Sequence, residues 1–296
     1  MRRTSLALIA LALAPIQLAS AQADETTYAL EEVKPDLYRF VAGSYRSMVW
    51  VGDDEILLID TLNTEAATWL KRELDRRFAL PVRYVVYSHN HHDHAYGAEV
   101  FDDPNTVFVA HEMAAENLAM SGAQTILPDI TFEDELALKL DGETLRLRYH
   151  GPNNGYGSVS MHFEDQDVMF VVDWALIGRM PYEDMKGYDI EGMIRSTKDI
   201  LKLDWDTFVG GHADIGGREG VEHYLGYITE LYDGVRNGMI AGQSLETLQA
   251  DLRLDAYSDL RNYEDWRAQN IAGVYRILED RSYMLMRPEV VDPTTE

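Results

Sequence analysis

Residues 55–94 carry two strand-like runs, EILLID and VRYVVYS, separated by a helix-patterned stretch, TEAATWLKRELDRRFA. Strand, helix and strand in that order constrain the fold strongly, because the helix serves as a crossover and the two strands then pair side by side and parallel. Thr64 is the expected N-cap of the helix and Pro81 ends it. The second strand runs directly into SHNHHDHAYG, where four of the chain's nine histidines fall within residues 89–94 together with Asp93. A buried strand ending in imidazoles and a carboxylate points to a site at the strand terminus.

The rest of the chain alternates in the same way. LYRFVAG and SMVWVG precede the first unit as strands, and TVFVA and HEMAAENLAM follow it as strand and helix. LALKL, ETLRLRYH, SVSMHF and VMFVVD read as four more strands, YDIEGMIRSTKDILKL as a helix, and DTFVGGH as a short strand with a glycine turn. From Glu219 onward the pattern is helical, with breaks near Gly242 and Asp255. The expected architecture is a layered α/β sandwich with a helical C-terminal extension. These last helices are candidates for covering the sandwich, capping a pocket or forming a contact in a homo-oligomer.

With 51 acidic against 26 basic residues in 296, the net charge is −25. Such a surface repels nucleic acid and anionic membranes, so neither is an expected partner and a small-molecule substrate is. Arg2 and Arg3, the run LALIALALAPIQLA and Ala21-Gln22-Ala23 read as a signal peptide over residues 1–23, which predicts a periplasmic or secreted protein. There is no cysteine, hence no disulfide, thiolate ligand or cysteine nucleophile.

His89 and His91 lie two apart beyond a strand, a spacing that puts both rings on one face and suits a zinc ion, with Zn–N bonds of about 2.0–2.1 Å. Asp93 and His94 follow in the turn and can serve a second ion. Asp173 closes VMFVVD, where a carboxylate needs a nearby positive charge to offset its desolvation, and His212 closes DTFVGGH. Nitrogen and oxygen donors without sulfur favour zinc and would also admit manganese or iron.

These residues, His89-x-His91-x-Asp93-His94 with a later strand-terminal Asp173 and Gly-Gly-His212, resemble the metallo-β-lactamase superfamily. The resemblance implies an αββα sandwich over residues 24–240, with 241–296 as the helical extension. It also implies one metal at His89 and His91, a second at Asp93, His94 and His212, a bridging Asp173, and a metal-bound hydroxide as nucleophile, with Asp93 orienting it and relaying its proton. One position departs from the family pattern. In YHGPNNGYGSVSMHF, Asn154 stands where the family has a further histidine, so the first metal is expected to be held weakly and the second tightly. His150 is a candidate replacement, and His92 is expected to be exposed or to back the ligands. His111, His162 and His223 have no evident partner.

The leading function is zinc-dependent hydrolysis of an ester, lactone, thioester or amide-type bond. Leu176 occupies the position of the carboxylate-binding Lys of β-lactamases and of the Tyr of lactone hydrolases, which leaves Arg179 as the nearest cation. Other readings are β-lactamase-type activity, an iron-dependent oxidoreductase of the same fold, and a metal-binding protein with little turnover because of Asn154. The iron types usually need Glu at the position of His91 or the histidine replaced by Asn154. Asn154, Tyr156, Trp174 and Arg179 are candidate substrate-binding residues, with Asn153 and Tyr182 beside them.

Overall fold

The computed structural model describes residues 27–281, and the expected signal peptide lies outside them. The first half of the chain gives β1 (Tyr28–Lys34), β2 (Leu37–Ala42), β3 (Tyr45–Val51), β4 (Ile56–Ile59), α1 (Thr64–Arg77), β5 (Val82–Val86), α2 (His92–Ala95), β6 (Val107–His111), α3 (Glu112–Ser121) and β7 (Ile130–Phe132). The second half gives β8 (Glu135–Leu140), β9 (Glu143–Tyr149), β10 (Val159–Phe163), β11 (Val168–Val171), α4 (Ile190–Ile200), β12 (Thr207–Gly210), β13 (Ile215–Gly216), α5 (Arg218–Ile240), α6 (Leu245–Asp251) and α7 (Tyr263–Arg281). Strands β1 to β7 form one sheet in sequence order, and the other sheet runs β13-β12-β11-β10-β9-β8. As expected, β4 and β5 pair in parallel across α1. Strands β11 and β12 also pair in parallel, across α4.

The period-2 alternation of the strands sorts side chains into three cores. Leu57 and Ile59 of β4 meet Phe170 of β11 between the two sheets. Ile56 and Leu58, one residue out of phase, pack on Leu70 and Leu74 of α1 and on Leu118 of α3. On the far side, Met169 and Val171 pack on Met193 of α4, Tyr227 of α5 and Val274 of α7. The layers therefore run helix, sheet, sheet, helix. Leu248, Val274 and Leu278 share that last core with Phe208 and Trp174, so a boundary at residue 240 does not divide a core. The C-terminal helices cover the second sheet. Among the described residues no helix is long and apolar enough to cross a membrane.

Local details correct the sequence reading. Asn63, not Thr64, caps α1: its side chain accepts from Ala66 N–H at 2.9 Å, while Thr64 Oγ1 donates to Glu99 at 2.6 Å. A side-chain oxygen at the N-cap satisfies one of the helix's free amides, and an Asn just before the helix competes for that place with a Thr at its start. Strand β1, YALEEVK, was not expected. It is an edge strand bonded to β2, and it exposes the adjacent Glu31 and Glu32 instead of showing a buried strand's apolar run.

Candidate metal centre

Strands β4 and β5 run parallel in one sheet and β11 and β12 in the other, and beyond their C-terminal ends lie Asp60, His89, Asp173 and His212. His91 caps the short α2, which carries Asp93 and His94. Asp60 and Asp173 both adopt left-handed backbone, with φ of 56° and 70°. For a non-glycine residue that conformation costs about 1 kcal/mol or more and is characteristic of functional sites. Gly155 adopts φ 68°, and a Cβ there would stand 2.9 Å from Asn90 Oδ1 and 3.0 Å from His91 Nε2, so both the backbone and the close approach call for glycine.

The candidate ligands form two groups, His89 with His91 and Asp173, and Asp93 with His94 and His212, and the donor atoms of each group lie within 4.8 Å of one another. Asp173 joins them. Its Oδ2 is 3.3 Å from His89 Nε2 and 3.3 Å from His91 Nδ1, and its Oδ1 is 3.1 Å from His212 Nε2. Burial alone would raise the Asp173 pKa, but His212, His89 and His91 outweigh it and hold the carboxyl well below its usual range. His94 Nε2 and His212 Nε2 face each other at 2.9 Å, a separation that two imidazole nitrogens sustain around a shared proton or cation. His212 Nε2 lies 3.6 Å from Asp93 Oδ2.

Contacts behind the rings set their orientation. His94 Nδ1–H donates to Asp60 Oδ2 at 3.1 Å, and Asp60 Oδ1 accepts from Ser88 N–H at 2.8 Å. In the neutral ring this fixes the tautomer whose Nε2 lone pair is free to bind a metal. Burial pulls the His94 pKa down, but the hydrogen bond to Asp60 together with the charges of Asp60, Asp173 and Asp93 outweighs it and raises the pKa to about 8. His89 Nδ1 bonds Ser88 Oγ at 2.8 Å, and its Nε2 is buried without a hydrogen-bond partner. Burial pushes the His89 pKa down to about 4, keeping the ring neutral as a metal ligand must be. Tyr45 packs its ring edge-on to His212 at 5.1 Å and to His94 at 6.2 Å. Imidazole nitrogens, carboxylate oxygens and an orphaned buried nitrogen form a donor set that fits divalent cations.

His91, Asp93, Asp173 and His212 open onto a cavity of about 780 Å³, bordered also by Arg179 and Tyr182. His92 is exposed at its rim, as expected. Asn154 is buried beside the first group, its Nδ2 donating to Asp173 Oδ2 at 2.9 Å, and its Oδ1 has no hydrogen-bond partner. Other expectations are corrected. Trp174 is fully buried in the helix-side core because the chain turns inward after β11, so it does not line the cavity. Tyr156 is 56% exposed and also lies off the cavity, contributing only its backbone N–H, which donates to Asn90 Oδ1 at 2.9 Å. Asn153 is buried against Ser196. His150 Nε2 is held by Ser160 Oγ at 2.8 Å and its Nδ1 faces Asp199 at 3.8 Å, which keeps it out of both donor groups. His111 bonds the Glu133 carbonyl at 2.6 Å and His223 pairs with Asp259 at 3.1 Å. The sequence reading missed Asp60, Tyr45, Tyr188, Arg46, Arg261 and Trp266, of which all but Asp60 line the cavity.

The family model of the metallo-beta-lactamase superfamily matches residues 42–212, more than half of the chain. The chain belongs to this superfamily. Among superfamily structures, it superposes on the stereoselective inverting sec-alkylsulfatase Pisa1 from Pseudomonas sp. with a TM-score of 0.69 at 20% identity, covering 90% of this chain and 52% of that one. A metallo-beta-lactamase from Pontibacter korlensis gives 0.61 at 16% identity, over 69% of this chain and 99% of the other. In sequence, the chain is 28% identical to the 2,4-dinitroanisole O-demethylase subunit alpha of Nocardioides sp. (strain JS1661), over 81% of this chain and 71% of the relative. The structural matches extend the superfamily fold, and nothing more, to this chain.

Proposed function

We propose that the chain is an exported, zinc-dependent hydrolase acting on an ester, lactone, thioester or amide-type bond of a small molecule. The observation that carries this reading is the single carboxylate of Asp173, which turns one oxygen to His89 and His91 and the other to His212. Two donor groups joined in this way suit a pair of divalent cations, and nitrogen and oxygen donors favour zinc. Bound zinc supplies Lewis acidity toward a substrate oxygen and makes nearby water acidic near neutral pH. Asp93 borders the cavity beside His212 and is placed to take a proton from water, while Asp60 keeps His94 in register.

The test is metal analysis of the purified chain together with a panel of aryl esters, lactones, thioesters and β-lactams. At least one ester, lactone or thioester should turn over, lose turnover on chelation and regain it with zinc. Turnover indifferent to chelation, or none in the zinc-loaded protein, would overturn the reading. With penicillin, cephalosporin and carbapenem substrates, kcat/KM should stay below about 10⁴ M⁻¹s⁻¹, the low end of ordinary enzyme efficiency, because Leu176 stands where β-lactamases hold the lactam carboxylate on a Lys, and Arg179 would have to hold it from a different place in the cavity. A second reading, cleavage of an aryl alkyl ether, is favoured by the relative whose name states O-demethylation of 2,4-dinitroanisole. That ether and a secondary alkyl sulfate therefore belong in the panel.

Asn154 bears on metal content. An amide offers a neutral oxygen where an imidazole would offer a stronger nitrogen donor, so the His89–His91 site should bind more weakly than the Asp93–His94–His212 site. Dialysed protein should retain about one zinc per chain and approach two only in excess metal. Asn154→His should raise retention toward two, read by elemental analysis after identical dialysis. Two tightly held zincs in the wild type, or an unchanged mutant, would refute this.

A further inference from the structure

Four cations line the cavity: Arg46, Arg179, Lys186 and Arg261. Lys186 pairs with Asp184 at 2.9 Å, and Arg261 with Asp214 at 2.6 Å. Arg46 and Arg179 donate to backbone carbonyls instead. Arg46 Nη1 reaches Gly43 and Tyr45 at 2.7 and 2.8 Å, and Arg179 Nη1 reaches His212 at 3.1 Å. The Nε of each is buried with no hydrogen-bond partner. Carboxylates outnumber cations 51 to 26 in this chain, yet these two partly buried guanidiniums have no carboxylate partner among the described residues. Desolvated charge without a counterion is unfavourable, and an anion supplied by a ligand offsets it.

Both arginines are tied to the segment that carries His212. Arg46 N–H donates to the Gly211 carbonyl at 2.8 Å, and the Arg179 guanidinium bonds the carbonyl of His212 itself. The Arg179 guanidinium also lies over the ring of Trp266 at 5.1 Å, and Trp266 meets Tyr182 edge-on at 5.5 Å. The cavity thus sets a planar cation, braced by an indole, between an aromatic wall and the donor edge. The long-range field of so acidic a chain opposes an incoming anion, so recognition of one must be local.

We infer that the cavity selects an aromatic substrate bearing an anionic group, with the anion on Arg179 and Arg46 and the ring against Tyr182 and Trp266. That the bond to be broken then lies toward Asp173 rests on the hydrolase reading; the ligand class does not. A volume of about 780 Å³ accommodates such a molecule.

The test is a binding measurement, which needs no turnover. The zinc-loaded full chain is titrated calorimetrically with p-toluenesulfonate and with methyl p-tolyl sulfone, which share ring and sulfur geometry and differ in charge. The sulfonate should bind at least about tenfold more tightly, the scale of one charge-assisted hydrogen bond. Arg179→Gln should remove most of that preference and Arg46→Gln part of it, with circular dichroism confirming that each variant is folded. In the wild type, added salt should weaken the sulfonate and leave the sulfone unchanged, a readout that needs no variant. Equal binding of the two ligands, or a preference surviving in both variants and in salt, would overturn the inference. Hydrolysis of the ester panel together with equal ligand binding would defeat this inference alone. A clear sulfonate preference without turnover on any substrate would defeat the hydrolase reading alone.

Discussion

Asp93→Asn is expected to lower kcat by about a hundredfold or more on whichever substrate the panel identifies, the loss typical of a positioned acid–base group. Asp93 lies on α2, borders the cavity and approaches His212 Nε2 at 3.6 Å. The amide has the same shape and keeps one oxygen, but it cannot accept a proton at neutral pH. The side chain is partly exposed and anchors no core, so the melting temperature should change little. Steady-state kinetics with parallel melting and metal analysis check this. Near-wild-type kcat at full metal content would remove Asp93 from proton transfer. A large fall in bound zinc would move its role toward metal binding.

Asp60→Ala should destabilise the fold by about 3–5 kcal/mol, the range for breaking a buried charged pair by deleting one partner. Asp60 is fully buried, and the change strands both Ser88 N–H and His94 Nδ1–H away from water. Asp60→Asn retains shape and one acceptor. It should fold better and instead weaken zinc binding by about tenfold to a hundredfold, the usual consequence of removing a carboxylate behind a ligating histidine. Urea denaturation of the first variant and zinc competition titrations of the second separate the two effects. An Asp60→Ala protein within about 1 kcal/mol of wild type would mean that the pair adds little beyond an ordinary neutral hydrogen bond.

The layered fold was legible because β4, β5, β11 and β12 are short apolar runs between turn residues, and the residues at their ends stand out chemically. Asp60 closes EILLID just as Asp173 closes VMFVVD, so the signal that located one was available for the other. The role of Asp60 does not show in the sequence because its partner His94 lies 34 residues on and is reached only through the parallel pairing of β4 with β5. Trp174 was misplaced for a related reason. Adjacency to Asp173 suggested the cavity, but the left-handed turn at Asp173 reverses the side-chain direction and sends the indole under the helices. Arg46 follows an unremarkable turn before β3, and Arg261 and Trp266 sit at the start of a C-terminal helix. No local pattern links these residues, so only the packing of α7 against the second layer brings them to one cavity.

That placement of α7 separates two kinds of change. The donor edge comes from residues 60–212, whereas Arg261 and Asn262, just before α7, and Trp266 in its first turn border the same cavity from later in the chain. Substitutions, insertions or exchanges at the start of α7 can therefore alter which molecules enter and how they lie, while every atom that would hold an ion stays where it is. A lineage built on this plan can change its diet without relearning its chemistry, and the opening turn of α7 is where libraries seeking new substrates should be directed.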